Sequence, residues 1–230
     1  MTEAEWLTCD NPTRMKVVLR GRASERKLRL LGCGCCRVVW DRITDDRNRR
    51  AVGVVERYAD GIASRASMAV AERESSAASG FAFGSAGTTP ARHRSRRAGC
   101  TSWAVHLLTY IPPGSEQVVG VLEYLIDALE WLKKAEQGSV RATRAGQANL
   151  VRCVFGNPFR PVTAELSWFT APVVSLARSM YESRDFTAMP VLADALEEAG
   201  CDNADILSHC RGPGPHVRGC WVVDLALGKI

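Results

Sequence analysis

Long apolar runs are missing from this chain. No stretch approaches the roughly 18 to 20 apolar residues that a membrane-spanning helix requires, so no helical span is expected. The opening Met1-Thr2-Glu3-Ala4-Glu5 is acidic and lacks the basic-then-apolar order of a signal peptide, which makes the cytoplasm the expected compartment. Strand-like alternation is scarce. No Walker loop, Gly-x-Gly-x-x-Gly, His-Glu-x-x-His, Gly-x-Ser-x-Gly or EF-hand pattern occurs, which argues against an ordinary nucleotide-dependent enzyme, metalloprotease or serine hydrolase. Acids are also absent between Glu74 and Glu116.

The 230 residues are 46% hydrophobic and 24% charged, a balance that supports a substantial folded core. The net charge of +5 is only mildly basic for a chain of this length. Nucleic-acid binding usually shows as a concentrated basic face, so a nucleic-acid partner is not expected. The nine cysteines are odd in number, in a chain too long to need a disulfide framework. They read as reduced thiols, mostly packed as small hydrophobes.

Helical signals recur. Thr2-x-x-Glu5 has the form of a capping box, and Pro12 can open a second helix bearing Met15, Val18 and Leu19. Ser24 and Thr44 are candidate N-caps for two further helices. The first carries Leu28, Leu31, Cys35 and Val38, and the second Val52, Val55, Tyr58 and Ile62. Arg47, Arg49, Arg50 and Arg57 read as the solvated face of the latter. Periodicity stops at about Ser75, where small residues and then Arg92, Arg94, Arg96 and Arg97 take over. It resumes at Trp103 and continues with Leu122, Leu125, Leu129 and Leu132, then Leu150, Val151 and Val154. Helices follow at Thr170, Met189 and Asp202, and Trp221-Val222-Val223 reads as either a last helix or a short strand.

The expected fold is therefore all-α, an irregular bundle of about eight to ten short antiparallel helices with one long Gly/Ser/Arg-rich loop. Residues 1–74 form an N-terminal helical block, 75–100 a flexible or inserted loop, and 101–230 a C-terminal block that can share one domain with the first.

Several blocks resemble an uncharacterised helical protein family of planctomycete bacteria of the Gemmata type. They are the opening Met1–Leu7, Ser24–Leu30, Cys33-Gly34-Cys35-Cys36-Arg37, Phe155–Val162, Met189–Leu196 and His209–Trp221. The resemblance reaches both ends of the chain and implies a bacterial, cytoplasmic protein. It supplies no activity. Where the family tends to have an Ala- and Arg-rich helical stretch, this chain has the Gly/Ser segment Ser79–Thr89.

The conspicuous local feature is the turn His209–Asp224, in which Gly212, Gly214 and Gly219 free the backbone and Pro213 and Pro215 stiffen it. If Gly219-Cys220 opens the last helix, its amides lie beside Arg211, His216 and Arg218, an arrangement suited to a carboxylate or phosphate. The competing reading is a connector whose charges are held by Asp194, Glu197, Glu198, Asp202 and Asp205. The leading functional expectation is a non-enzymatic interaction module, binding a protein or a small anion through Arg211, His216, Arg218 and Cys220. The alternative is a small zinc-binding protein. Cys33-x-x-Cys36 would supply half of that site, and Cys210-x5-His216-x3-Cys220 the other half. Against it, Cys33 and Cys36 fall inside a helix, where buried core thiols are the simpler account. The third reading is an enzyme using Cys220 with His216, for which no third group or oxyanion hole can be placed.

Overall fold

The computed structural model describes residues 1–84, 105, 109 and 140–229. Among them there are ten α-helices, two short 3-10 turns and no strand. The N-terminal helices are α1 (Glu3–Thr8), α2 (Pro12–Leu19), α3 (Glu25–Val38), α4 (Asp46–Ala59) and α5 (Arg65–Gly84). The C-terminal set is α6 (Val140–Phe155), α7 (Ala171–Ser183), α8 (Met189–Glu198), α9 (Ala204–Arg211) and α10 (Trp221–Ala226). None is long and apolar enough to cross a membrane.

Local chemistry explains most of the helix starts. The Thr2 hydroxyl accepts the Glu5 amide while the Thr2 amide donates to the Glu5 carboxylate, the reciprocal pairing read from the sequence. Ser24 accepts from the Lys27 amide at the head of α3. Two caps sit one residue later than expected. Asp45, not Thr44, caps α4, because its carboxylate takes both the Arg47 amide and the Arg47 guanidinium. Asn203, not Asp202, caps α9, where its Oδ1 accepts from both Asp205 and Ile206.

The long second block divides in two. The chain turns at Asp60-Gly61, with Gly61 at φ +71°, and Ile62 is left exposed instead of continuing the apolar stripe. The next helix then runs through Ser75 to Gly84, past the expected break, and buries Met68, Ala71 and Ala78. Alanine and serine remove apolar periodicity without forbidding helix. The rest of the loop expected over residues 75–100 and, apart from Val105 and Thr109, the helices expected from Trp103 to Leu132 lie outside the described residues. Trp221–Val223 is helical: the Asp224 amide returns to the Cys220 carbonyl at 2.8 Å.

α3 is the axis of the packing. It lies against α4 and α6, with α5 on the far side of α4 and α2 on α6. α8 packs on α7 and α9, and α10 on α6, α7 and α9. Both flanks of α3 are covered, so Cys33, Cys35 and Cys36 are all buried although they occupy different faces. Gly34 permits the approach of the C-terminal turn, since a Cβ there would sit 3.1 Å from Val217.

An ionic network ties α3 to the last helix. The buried Asp224 accepts from Arg26 at 2.6 and 3.1 Å and from Lys27 at 2.6 Å. Arg26 also reaches Asp60 and the Tyr181 hydroxyl. Charges this deep persist only when each is paired and hydrogen-bonded, a condition these contacts meet.

Candidate metal centre

Four side chains from two distant stretches of the chain, residue 153 and residues 209–220, converge where α6, α9 and α10 meet. Cys153 comes from the last turn of α6, His209 from the last turn of α9, His216 from the connecting turn and Cys220 from the N-cap of α10. Their ligand atoms all lie within 4.8 Å of one another. His216 Nδ1 is 3.8 Å from Cys153 Sγ, and His209 Nε2 is 3.2 Å from Cys220 Sγ. The two imidazoles meet edge to face at 4.9 Å, and the Trp221 ring covers His209. Both cysteines are buried and both histidines partly so.

The turn between α9 and α10 is what brings His216 and Cys220 inward. It passes through a cis Gly214–Pro215 bond and closes with the Cys220 amide on the Val217 carbonyl at 2.9 Å. Gly219 is required twice over. Its φ of +89° disfavours any side chain, and a Cβ would lie 2.9 Å from that of Leu30 on α3. Lys27 then clamps the two cysteine-bearing segments. Its ammonium donates to the carbonyls of Val154 and Gly219, at 3.2 and 2.8 Å, each adjacent in sequence to a cysteine of the group.

The electrostatics separate the two thiols. Burial pushes Cys153 well above the ordinary thiol range, and its hydrogen bond to Cys220 adds to the rise. Burial opposes ionisation of Cys220 too, but the Cys153 hydrogen bond and the adjacent imidazoles prevail and hold it well below that range. Of the two thiols, Cys220 is the one whose surroundings favour the ionised form. Two sulfurs and two imidazole nitrogens are a donor set that could hold a borderline-soft divalent cation.

The residues singled out from sequence divide sharply. His216 and Cys220 are in the group. Cys33 and Cys36 are not: they are core thiols on α3, with burial holding both above the ordinary thiol range. Cys210, next to His209, is fully buried outside the group. Arg211 turns away to the surface, where Asp194 and Glu197 hold it at 2.9 and 2.5 Å. That is the connector arrangement, and it removes Arg211 from the N-terminus of α10. Arg218 points the other way, donating to the Tyr181 carbonyl at 2.7 Å. The Cys220–His pairing needed for a nucleophile is present, but Cys220 has no exposed surface through which a substrate could reach its sulfur.

Cys153 escaped the sequence reading because it falls on the apolar stripe of α6 with Leu150 and Val154, where a cysteine looks like any small hydrophobe. His209 bounded the turn without being assigned a role. Its spacing to Cys220 offers no signature of its own. Comparison with protein-family models, with curated proteins and with solved structures finds no match.

Proposed function

We propose that this chain is a zinc-binding protein whose site is Cys153, His209, His216 and Cys220, and that the metal's role is structural. The observation that carries the reading is the convergence of four nitrogen and sulfur donor atoms within 4.8 Å. Zinc–sulfur bonds of about 2.3 Å and zinc–nitrogen bonds of about 2.0–2.1 Å set donor–donor edges of roughly 3.3–3.8 Å in a tetrahedron. The 3.2 Å and 3.8 Å contacts bracket that span, and no donor pair is wider than 4.8 Å, so closing onto a metal asks for side-chain movements of about an ångström. Four protein ligands fill the coordination sphere and leave no open position for substrate, as in structural rather than catalytic zinc sites.

The metal would pin the end of α6, the end of α9 and the start of α10 to one point. Two of these helices are short, α9 with eight residues and α10 with six, too few to be stable alone. A Cys2His2 cross-link there supplies a constraint that the reduced cysteines cannot.

The test is elemental analysis of protein purified without a histidine tag, followed by replacement with Co²⁺. About one equivalent of zinc, and a cobalt spectrum with thiolate-to-metal charge transfer and tetrahedral d–d bands, is the expected result. Less than about a tenth of an equivalent, with no cobalt spectrum on titration, overturns the reading.

A further inference from the structure

Behind the metal centre, on the α3 side, lies a cavity of about 80 Å³. A single water needs roughly 10–15 Å³ of such space, so this cavity has room for a small polyatomic ion. Arg37, Arg184 and Arg218 line it, together with Glu56 and His216. Among the described residues Glu56 is the only acid in the lining, against three arginines. Two positive charges are therefore uncompensated within the cavity wall.

The hydrogen bonds show which donors remain. Arg37 uses Nε and Nη2 on the two Glu56 oxygens, at 2.9 and 3.0 Å. Arg184 also uses Nε and Nη2, at 2.8 and 2.6 Å. Arg218 spends Nε and Nη2 on backbone carbonyls, and its Nη1 stays 4.0 Å from Glu56. Among the described residues, the Nη1 group of all three arginines has no hydrogen-bond partner. Neither has the buried Nε2 of His216.

Arg184 carries a further mark. It ends α7 in the left-handed conformation, at φ +62°, and is the one non-glycine residue at positive φ among the described residues. Glycine or asparagine is the unstrained choice there. A strained arginine persists where its side chain is held by something worth the strain. The Glu56 carboxylate holds one edge of the guanidinium, and among the described residues no other acid pairs with it.

The structure assigns this cavity as a binding site for a tetrahedral oxyanion: inorganic phosphate, or the phosphate group of a larger molecule, held by Arg37, Arg184, Arg218 and the His216 Nε2 proton. Guanidinium groups from α3, the end of α7 and the C-terminal turn line one cavity, and several charged N–H donors in one place are the chemistry that binds a phosphate. The site retains His216 and Arg218 from the anion site expected on sequence and replaces Arg211 by Arg37 and Arg184. The three arginines stand independently of the metal. The zinc reading contributes one element, since a metal on His216 Nδ1 leaves the proton on Nε2.

The experiment is calorimetric titration of the full chain with inorganic phosphate, phosphoserine and, at matched ionic strength, chloride. It compares the native protein with Arg184→Asn, which suits the left-handed backbone, and with Arg37→Gln as a second variant, with zinc content measured on every sample. Saturable phosphate binding at one site, weakened at least tenfold in a folded variant of unchanged zinc content, is the expected result. Competition by phosphoserine identifies an esterified phosphate as ligand, and binding of phosphate alone identifies the free ion. Absence of saturable binding, a response matched by chloride, or native affinity in both variants overturns the assignment. Phosphate binding in a protein that holds no zinc would sustain this site while removing the metal reading.

Discussion

Cys153 Sγ lies 3.8 Å from His216 Nδ1, although 63 residues separate them along the chain. One residue ends a helix and the other sits in an irregular turn, and nothing local links them. What links them is Lys27, whose ammonium holds the Val154 and Gly219 carbonyls in one grip. The site is thus a product of packing around α3, and its consequences can be checked at single residues.

Zinc content should follow the observed group and not the Cys-x-x-Cys pair. Cys153→Ser and Cys220→Ser are each expected to lower zinc affinity by at least about 100-fold, because each removes one of four ligands. Cys33→Ala and Cys36→Ala should leave one equivalent bound. Competition with a chromophoric chelator measures all four. Zinc loss in the Cys33 and Cys36 variants, with retention in the other two, would refute the group.

Removing the metal should destabilise the chain and expose its thiols. With free zinc at about a thousand times Kd, bound metal contributes about 4 kcal/mol. For a chain of this size that amounts to a melting shift on the order of 10 °C. Maleimide labelling before and after chelation, read by mass spectrometry, should show Cys153 and Cys220 reacting only in the stripped protein. Cys35, pushed up to about 12 by burial, should stay unreactive in both.

Gly219→Ala should fail on two counts. The new Cβ must adopt φ +89° and would meet Leu30 Cβ at 2.9 Å. Left-handed strain and overpacking together predict a loss of about 2–4 kcal/mol, accompanied by weaker zinc binding because Cys220 is the next residue. Urea unfolding of the metal-free and metal-loaded forms separates the two effects.

Lys27→Met should leave Asp224 paired with Arg26 while two buried carbonyls lose their donor. The expected cost is about 2–3 kcal/mol. Zinc affinity should fall roughly tenfold, as when a supporting residue behind a metal ligand is lost. Unchanged affinity in this variant would show that the segments are positioned without the clamp.

Acid stability should depend on Glu56. Burial raises its pKa, but hydrogen bonds from Arg37 and Arg184 and their charges outweigh burial and hold it below the ordinary carboxylate range. Arg218 faces the same carboxylate. A depressed folded pKa means that the contribution is complete above the unfolded value of about 4.3 and is lost as pH falls through the lower folded value. Glu56→Gln should therefore flatten this part of the acid limb of the stability profile. At neutral pH it should cost about 2–4 kcal/mol, because it leaves clustered guanidiniums without their counter-charge. Denaturation midpoints between pH 3 and 7 supply the comparison.

Some of this protein is written locally, and the sequence by itself determined that part. The all-helical class, the Thr2–Glu5 capping box, the Ser24 cap and the end of α8 before Gly200, at φ +89°, depend on neighbours three or four residues away. Hydrogen bonding and backbone sterics act over that range, so residue types and spacing suffice to read them. The glycine-rich turn before α10 was legible in the same way, and with it the importance of His216 and Cys220. The Asp45 and Asn203 caps show the limit of local reading, since adjacent residues with similar side chains competed and hydrogen-bond geometry decided. The composition of the site was settled by tertiary structure alone. A cysteine at 153 looks the same whether it faces Leu150 or a histidine from the far end of the chain. Only the burial of α3 against α6 and the C-terminal turn, fixed by Lys27 and by the absence of a side chain at Gly219, places it beside His216. The same packing sent Arg211 out to its acids and drew Arg218 in toward Glu56. Opposite fates for two arginines seven residues apart follow from which counter-charge each can reach.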